Sequence, residues 1–111
     1  MKKIAKTDLL QGTLELLALR MLRSGPLNGW DMMQRIATVS REALTVTPGS
    51  LYPALHRLEA GGFVSAEWGA SDNNRRAKFY QLTAAGRKQL EAERQTWERF
   101  VEAVGCILRE A

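Results

Sequence analysis

The sequence predicts a mainly α-helical fold with a small β-hairpin, in which a winged helix-turn-helix is followed by a C-terminal dimerisation helix. Three observations favour this class. Helical apolar periodicity recurs three times before residue 62, the period then changes to that of two strands between residues 63 and 82, and helical periodicity returns from Ala84 nearly to the end. We therefore divide the 111 residues into a winged helix-turn-helix domain at 1–83 and a dimerisation helix at 84–111.

The composition indicates a small globular protein with a basic body. Hydrophobic residues make up 45% of the chain and charged residues 25%, which separates it from disordered proteins. The formal net charge is +4, and residues 1–88 hold 13 Lys and Arg against seven Asp and Glu, whereas residues 89–111 hold three against five. A positive charge that lies ahead of the last helix fits a polyanionic partner.

Chemistry-bearing residues are scarce. Cys106 and His56 are the only residues of their kinds, so an intramolecular disulfide is excluded and a Cys/His zinc site within one chain is disfavoured. His56 has no evident nucleophile or orienting acid beside it, so we expect no enzymatic activity, no catalytic residues, no metal and no cofactor. The sequence lacks a membrane-length apolar run and the apolar core of a signal peptide, so we expect a cytoplasmic protein without membrane contact.

The first two helices are predicted to supply much of the core. One covers residues 7–23 and ends at the Ser24-Gly25-Pro26 segment. The second is capped by Asn28 and covers residues 29–38, with Trp30 and Met32 expected in the core. Lysines 2, 3 and 6 precede the first helix, and they are interpreted either as a solvated terminus or as a basic arm that reaches a phosphate backbone.

The third helix, at residues 48–60, has two contrasting faces. It begins after Thr47 as N-cap with Pro48 in the first position, and Gly61-Gly62 ends it. Its apolar stripe points to the core and consists of Leu51, Leu55 and Leu58. The opposite face offers small groups, a phenol, an imidazole and a guanidinium, from Gly49, Tyr52, Pro53, His56 and Arg57. Such a face suits contact with another molecule. Residues 40–46 before this helix fit a loop or a short strand.

Two strands joined by a polar loop follow the third helix. Residues 63–68 and 78–82 have strand character, and residues 69–77 are rich in turn formers, so the strands should pair as a hairpin. Arg75, Arg76 and Lys78 cluster where the loop enters the second strand. They are interpreted as a basic wing rather than only a soluble loop tip.

The last helix is predicted to begin after Thr83 and to carry a coiled-coil-like apolar seam. Its members are Leu90, Trp97, Phe100, Val101, Val104, Ile107 and Leu108. A helix that protrudes from a domain this small cannot leave such a stripe in water, so we predict a homodimer. Cys106 is interpreted as a small apolar packing residue, with a redox-sensing thiol as the alternative.

This order of elements predicts binding to double-stranded DNA. A helix with small residues in its first turn can enter the major groove, and a hairpin with arginines at its tip can reach phosphates or the minor groove. Ser50, Tyr52, His56 and Arg57 are candidates for the groove, and the three wing cations are candidates for the backbone. The alternative is a winged helix that contacts only proteins, because a fold does not determine a function.

Three motifs carry a family resemblance. The segments TPGSLYPALHRLEAGGFV, NNRRAKFYQLT and AAGR resemble the PadR-like transcriptional regulators, and the similarity runs from Leu9 to about Phe100. The resemblance implies a homodimeric winged helix repressor of the smaller subgroup, with one C-terminal helix that mediates dimerisation. The positions that it matches to DNA-contacting residues are Ser50, Tyr52, Pro53, His56, Arg57, Arg75, Arg76 and Lys78.

The resemblance also implies a candidate ligand site at Trp97. Some multidrug-sensing members of that family place a tryptophan of the last helix in a pore between subunits, where flat aromatic drugs stack. Trp97 lies at a similar place, so a small hydrophobic effector is a candidate partner. The alternative is that Trp97 is simply part of the dimer core.

Overall fold

A computed structural model describes residues 12–110, and within them the mainly helical class with a small sheet is confirmed. The elements in chain order are α1 (Thr13–Met21), a 3-10 turn (Leu22–Ser24), β1 (Leu27–Asn28), α2 (Gly29–Val39), α3 (Pro48–Ala60), β2 (Val64–Ala70), β3 (Arg76–Leu82) and α4 (Ala84–Glu110). The predicted start of the first helix, Leu9 and the three N-terminal lysines lie outside the described residues.

Helix α2 begins as predicted but presents a different face to the core. The Asn28 side chain accepts a hydrogen bond of 2.8 Å from the Asp31 amide, which is the predicted N-cap. Met32 is buried as expected, and Met33 and Ile36 are buried with it. The prediction that Trp30 is core is wrong, since 64% of its surface is exposed. At about 100° per residue, Trp30 points well away from the stripe formed by the buried residues.

Helix α3 is continuous from Pro48 to Ala60, even across Pro53. Thr47 occupies the N-cap position, but its hydroxyl lies 3.3 Å from Ser50 Oγ and does not bond a backbone amide of the first turn. Gly61 is the C-cap and Gly62, with a φ of +78°, turns the chain out of the helix, while the Phe63 amide donates to the Leu58 carbonyl at 2.9 Å. The predicted core stripe is confirmed, because Leu51, Leu55 and Leu58 are all buried.

The predicted hairpin is part of a three-stranded antiparallel sheet of order β1-β3-β2. Strands β2 and β3 pair from Val64 opposite Leu82 to Ala70 opposite Arg76, so the hairpin arms are longer than the sequence indicated and the connecting loop shrinks to residues 71–75. Strand β1 has only two residues, which is too short for a periodic signal to predict it. Residues 40–43 form a turn, in which Arg41 and Glu42 have positive φ.

The start of α4 is in contact with the wing root, which we define as residues 62 and 63 just before β2. The Thr83 hydroxyl donates to the Gly62 carbonyl at 2.6 Å and accepts from the Gly86 amide at 3.0 Å, which confirms the predicted cap. Gly86 is required here, because a Cβ would overlap the carbonyl oxygen of Phe63. One turn later Leu90 is buried in the same core as Leu19, Leu55 and Tyr80.

The position of Leu90 corrects the predicted seam. The sequence predicts Leu90 at the dimer interface, but the residue packs inside its own chain with 8% of its surface exposed. The first turns of α4 still lie over α1, which is why an apolar side chain at this position finds neighbours within the chain. Among the described residues, no helix is both long and apolar enough to cross a membrane.

Candidate nucleic-acid interface

The outer face of α3 and the hairpin border an open cleft of about 950 Å³. The N-terminal end of α2 lies between them and contributes Asn28 to Asp31. The side chains that line the cleft from α3 and the hairpin are Tyr52, His56, Trp68, Arg75, Arg76, Lys78 and Tyr80, with the loop residues Ser71, Asp72 and Asn73. Five of the eight predicted DNA-contacting residues therefore share one cleft, whereas Ser50, Pro53 and Arg57 lie outside it.

Tyr52 is packed against the start of α2. A Cβ added at Gly29 would lie 2.5 Å from the Tyr52 hydroxyl, so the glycine makes room for the phenol. The ring remains 37% exposed and faces the cleft. Tyr52 thus joins the third helix to the second while it keeps a surface for contact.

Arg57 is oriented toward α1 rather than toward the cleft. Its Nε donates to Oε1 of Glu15 at 3.0 Å, and its Nη2 contacts the same oxygen. The Glu15 side chain is only 14% exposed, whereas that of Arg57 is 62% exposed. The sequence places Arg57 on the same face of the third helix as the groove residues. It does not show that a carboxylate on another helix, Glu15, lies within reach of Arg57.

Lys78 also has a carboxylate partner within the fold. Its Nζ lies 3.2 Å from Oε1 of Glu59 on α3 and 5.5 Å from the centre of the Tyr80 ring. The hydrogen bond that Lys78 donates to Glu59 raises the pKa of Lys78, so the ammonium stays charged. Burial raises the pKa of the neighbouring Tyr80 phenol. Lys78 therefore sits in the body of β3 and fastens it to α3, and it is not part of the wing tip.

The wing tip is a compact turn that presents two arginines. The Ser71 amide donates to the Arg75 carbonyl at 2.8 Å, and the Asn74 amide donates to the Ser71 carbonyl at 2.8 Å. Asn74 has a φ of +60°, a conformation that asparagine tolerates. Arg75 is exposed, and the guanidinium of Arg76 lies 4.4 Å from the centre of the Trp68 ring.

Sequence reasoning missed two tryptophans that line the cleft. Trp30 and Trp68 are 64% and 59% exposed. Trp68 was recognised only as a strand residue, although its alternation with Val64 and Ala66 placed all three on one side of the strand. That side faces the core at Val64 and faces the cleft further along, where the hairpin extends beyond the core.

A second, smaller groove of about 330 Å³ lies between α1 and α4. Its lining residues are Gly12, Thr13, Leu16, Glu93, Thr96, Trp97 and Phe100. The Trp97 and Phe100 rings are 6.1 Å apart. Glu93 accepts from Gln89 through Oε1 at 3.0 Å, while its buried Oε2 has no hydrogen-bond partner within residues 12–110. The lining of the groove thus combines two aromatic rings with one acidic residue.

The outer part of α4 leaves most of the predicted seam exposed. Exposure is 38% for Trp97, 48% for Phe100 and Val101, 64% for Ile107 and 75% for Leu108, and Val104 is half-buried. Cys106 is an exposed free thiol beside Arg109, whose Nη2 lies 3.5 Å from the sulfur. An apolar strip of this size on an isolated helix is a typical protein contact surface.

Comparison with known proteins identifies the family. The model of the transcriptional regulator PadR-like family matches residues 18–92 of this chain. The chain belongs to the PadR-like family of transcriptional regulators. The match covers α2, α3, the whole wing and the start of α4, and it ends just after Leu90, where α4 leaves the domain core.

Relatives and solved structures agree with the PadR-like assignment. The transcriptional regulator Rv3488 of Mycobacterium tuberculosis is 41% identical over 66 residues, which span 60% of this chain and 61% of that protein, less than two thirds of its length. A PadR-like transcription factor from Bacteroides fragilis has a TM-score of 0.70 at 32% identity, with 86% of this chain and 90% of that chain covered. A transcriptional regulator from Clostridium thermocellum shares the fold, with a TM-score of 0.80 at 23% identity over 88% and 95% of the chains.

Proposed function

We propose that this PadR-like regulator is a homodimeric repressor that binds a two-fold site in double-stranded DNA through the 48–60 helix and the 69–78 wing. The observation that carries the proposal is that Tyr52 and His56 of α3 line the same open cleft as the wing arginines, Arg75 and Arg76. The helix is assigned to the major groove and the wing to the neighbouring backbone. A regulator of this family must reach DNA, so we also propose a cytoplasmic location.

Electrostatics divides the proposed contact residues into two groups. Arg75 and Arg76 form no salt bridge among the described residues, so their charges are available to phosphates. Arg57 and Lys78 are already paired with Glu15 and Glu59. If a dimer neutralises roughly six to ten phosphates, its affinity falls by about 10³ to 10⁵ between low and moderately high salt.

Dimerisation is proposed to occur through the exposed strip on α4. A second copy of the same strip would remove Trp97, Phe100 and Ile107 from water, which α4 alone does not do. Each copy then carries one winged helix-turn-helix at 1–83 and one dimerisation helix at 84–111. A two-fold dimer presents two α3 helices, so the half-sites should lie one helical turn of DNA, or a multiple of it, apart.

The groove beside Trp97 supports a second, dependent proposal, which is binding of a small hydrophobic effector. The specific observation is that the Trp97 and Phe100 rings, 6.1 Å apart, line one groove together with Glu93. A flat aromatic cation would stack on the rings and place its charge at the carboxylate. Titration of such a dye should quench tryptophan emission in the wild type and in Glu93→Gln, with weaker binding in the variant. Equal affinities would refute the role of Glu93.

DNA binding is tested on the duplex that the wild-type protein selects from a random-sequence pool. Fluorescence anisotropy then compares the wild type with Arg75→Ala plus Arg76→Ala. The matched control is Arg87→Ala plus Lys88→Ala, which removes the same charge from exposed positions outside the cleft. The wing variant should lose affinity and lower the salt slope by roughly one for each phosphate contact removed, and the control should not.

Two results would refute the proposal. Binding that does not depend on salt, or equal losses in the wing variant and the control, would exclude recognition of the DNA backbone by the wing. Selection of no duplex, together with a protein partner that survives nuclease treatment in a pull-down, would favour the winged helix as a protein-interaction module.

A further inference from the structure

Trp68 lies on one face of the hairpin. This face packs on the core at one end and lines the cleft at the other. It is paired with Lys78 across the strands, and Arg76 is the diagonal neighbour on the same face. The inner end of this face is buried at Val64 and Tyr80, whereas Trp68 is 59% exposed. Core packing therefore does not fix the position of the Trp68 ring, and its contacts within the cleft do.

The contact that Trp68 does make is with Arg76. The guanidinium carbon lies 4.4 Å from the ring centroid, well inside the range in which a cation is attracted by an aromatic face. A stacked guanidinium uses its face for the ring and keeps its edge for hydrogen bonds, and that edge matches the oxygens of a phosphate. A lysine at this position would lose both the planar stacking on the ring and the paired N–H donors that bind a phosphate.

The neighbouring cations differ from Arg76 in the kind of side chain that holds them, a carboxylate instead of an aromatic ring. Arg57 and Lys78 are held by Glu15 and Glu59, which compensate their charges. Among the described residues, Arg76 has no carboxylate partner, and its orientation comes from an uncharged ring. Arg76 is therefore ordered without being neutralised. That combination is what an anion contact requires, because the ordering is complete before the phosphate arrives and no competing anion has to leave.

We propose that Trp68 is a positioning residue for DNA binding, which acts by holding the Arg76 guanidinium at the mouth of the cleft for a backbone phosphate. This proposal rests on the proposed function and deepens it. Trp68 contributes through Arg76, so its removal leaves the number of charges at the interface unchanged and affects only how well one of them is oriented.

A double-mutant cycle separates this role from a direct one. Anisotropy titrations of the selected duplex compare the wild type, Trp68→Ala, Arg76→Ala and the double variant at several salt concentrations. Trp68→Ala should raise the dissociation constant by roughly two- to five-fold per wing, with the salt slope unchanged. Arg76→Ala should lower the slope, and the double variant should bind no worse than Arg76→Ala alone. Trp68→Phe should recover part of the loss.

Trp30→Ala provides the matched control. Trp30 is an equally exposed tryptophan of the same cleft, and no cation lies over its ring among the described residues. Its effect should add to that of Arg76→Ala, whatever its size. Melting curves of all variants should coincide with that of the wild type, because both tryptophans are exposed.

The outcomes that overturn the proposal are distinct from those that overturn the proposed function. If the wild type binds its duplex with a steep salt dependence, but the effects of Trp68→Ala and Arg76→Ala add, DNA binding stands and the positioning role falls. Coupling of the same size for Trp30→Ala would indicate general loosening of the cleft, and it also overturns the role of Trp68. If the wild type selects no duplex, both proposals fall.

Discussion

The two ends of α4 belong to one continuous helix, yet they are in opposite situations. Near its start, Gly86 and Leu90 are buried against the wing root and the core. Further along, Phe100, Ile107 and Leu108 are apolar and exposed. The two ends differ in which other elements lie beside the helix. An apolar helix stripe therefore cannot be assigned to one interface as a whole. Its first part completes the domain core, and the apolar side chains of the remainder stay exposed.

The largest effect is expected from a methyl group at the buried end. Gly86→Ala places a Cβ on the carbonyl oxygen of Phe63, and this atom belongs to the backbone rather than to a flexible side chain. The substitution should therefore lower the free energy of unfolding by about 3 kcal/mol. Gly49→Ala is the control, since it makes the same change in the first turn of α3 with no described atom within 4 Å of the new Cβ. It should raise stability by up to about 1 kcal/mol.

Urea unfolding at one fixed protein concentration measures both glycine variants, because dimer formation would make stability depend on concentration. Equal stabilities for Gly86→Ala and Gly49→Ala would mean that the start of α4 is not pressed against the wing root. The contrast between the two ends of the helix would then disappear.

The next effect is expected at the exposed end. Phe100→Ser removes a half-exposed aromatic ring from the strip and should raise the dimer dissociation constant at least roughly 30-fold, while the domain remains folded. Gln95→Ser, on the opposite side of the helix, should leave the dissociation constant unchanged. Sedimentation velocity over a range of concentrations measures both. A wild type that remains monomeric at the highest concentration would refute the assignment of this strip to a second copy.

The smallest effect concerns the charged residues between the two ends. The hydrogen bond from Arg94 at 2.5 Å lowers the pKa of Glu91. A lowered carboxyl pKa stabilises the folded state above the ordinary glutamate value near pH ~4.3, and this contribution is lost as the pH falls through the lowered value. The melting temperature of the wild type should therefore drop more steeply on acidification than that of Glu91→Gln. The difference should be small, because the pair is exposed.

Glu102→Gln serves as the control for this titration, since Glu102 lies on the same helix and forms no salt bridge among the described residues. Its acid response should match that of the wild type. If Glu91→Gln and Glu102→Gln respond alike, the Arg94–Glu91 pair contributes nothing to the stability of the folded state.

Much of the fold could be predicted because its signals are local. The caps at Asn28 and Thr83 and the break at Gly62 depend on residues within a few positions of one another, and all three occur as expected. Of the candidate site, the sequence predicts the face of α3 and the basic wing. Trp30 and Trp68 were not predicted as site residues. The periodicity of a single strand or helix shows which residues share a face, but it does not show how far along that face the core extends.

The helices, the hairpin and the stripe that each element buries follow from the order of residues alone, because spacing along a helix or strand decides which side chains share a face. Which charges and which apolar side chains have partners depends instead on how the elements pack against one another. Arg57 meets Glu15 across 42 positions and Lys78 meets Glu59 across 19. Such pairs exist only after packing has brought the elements together, so no local pattern records them. The same packing divides α4 into a buried start and an exposed strip.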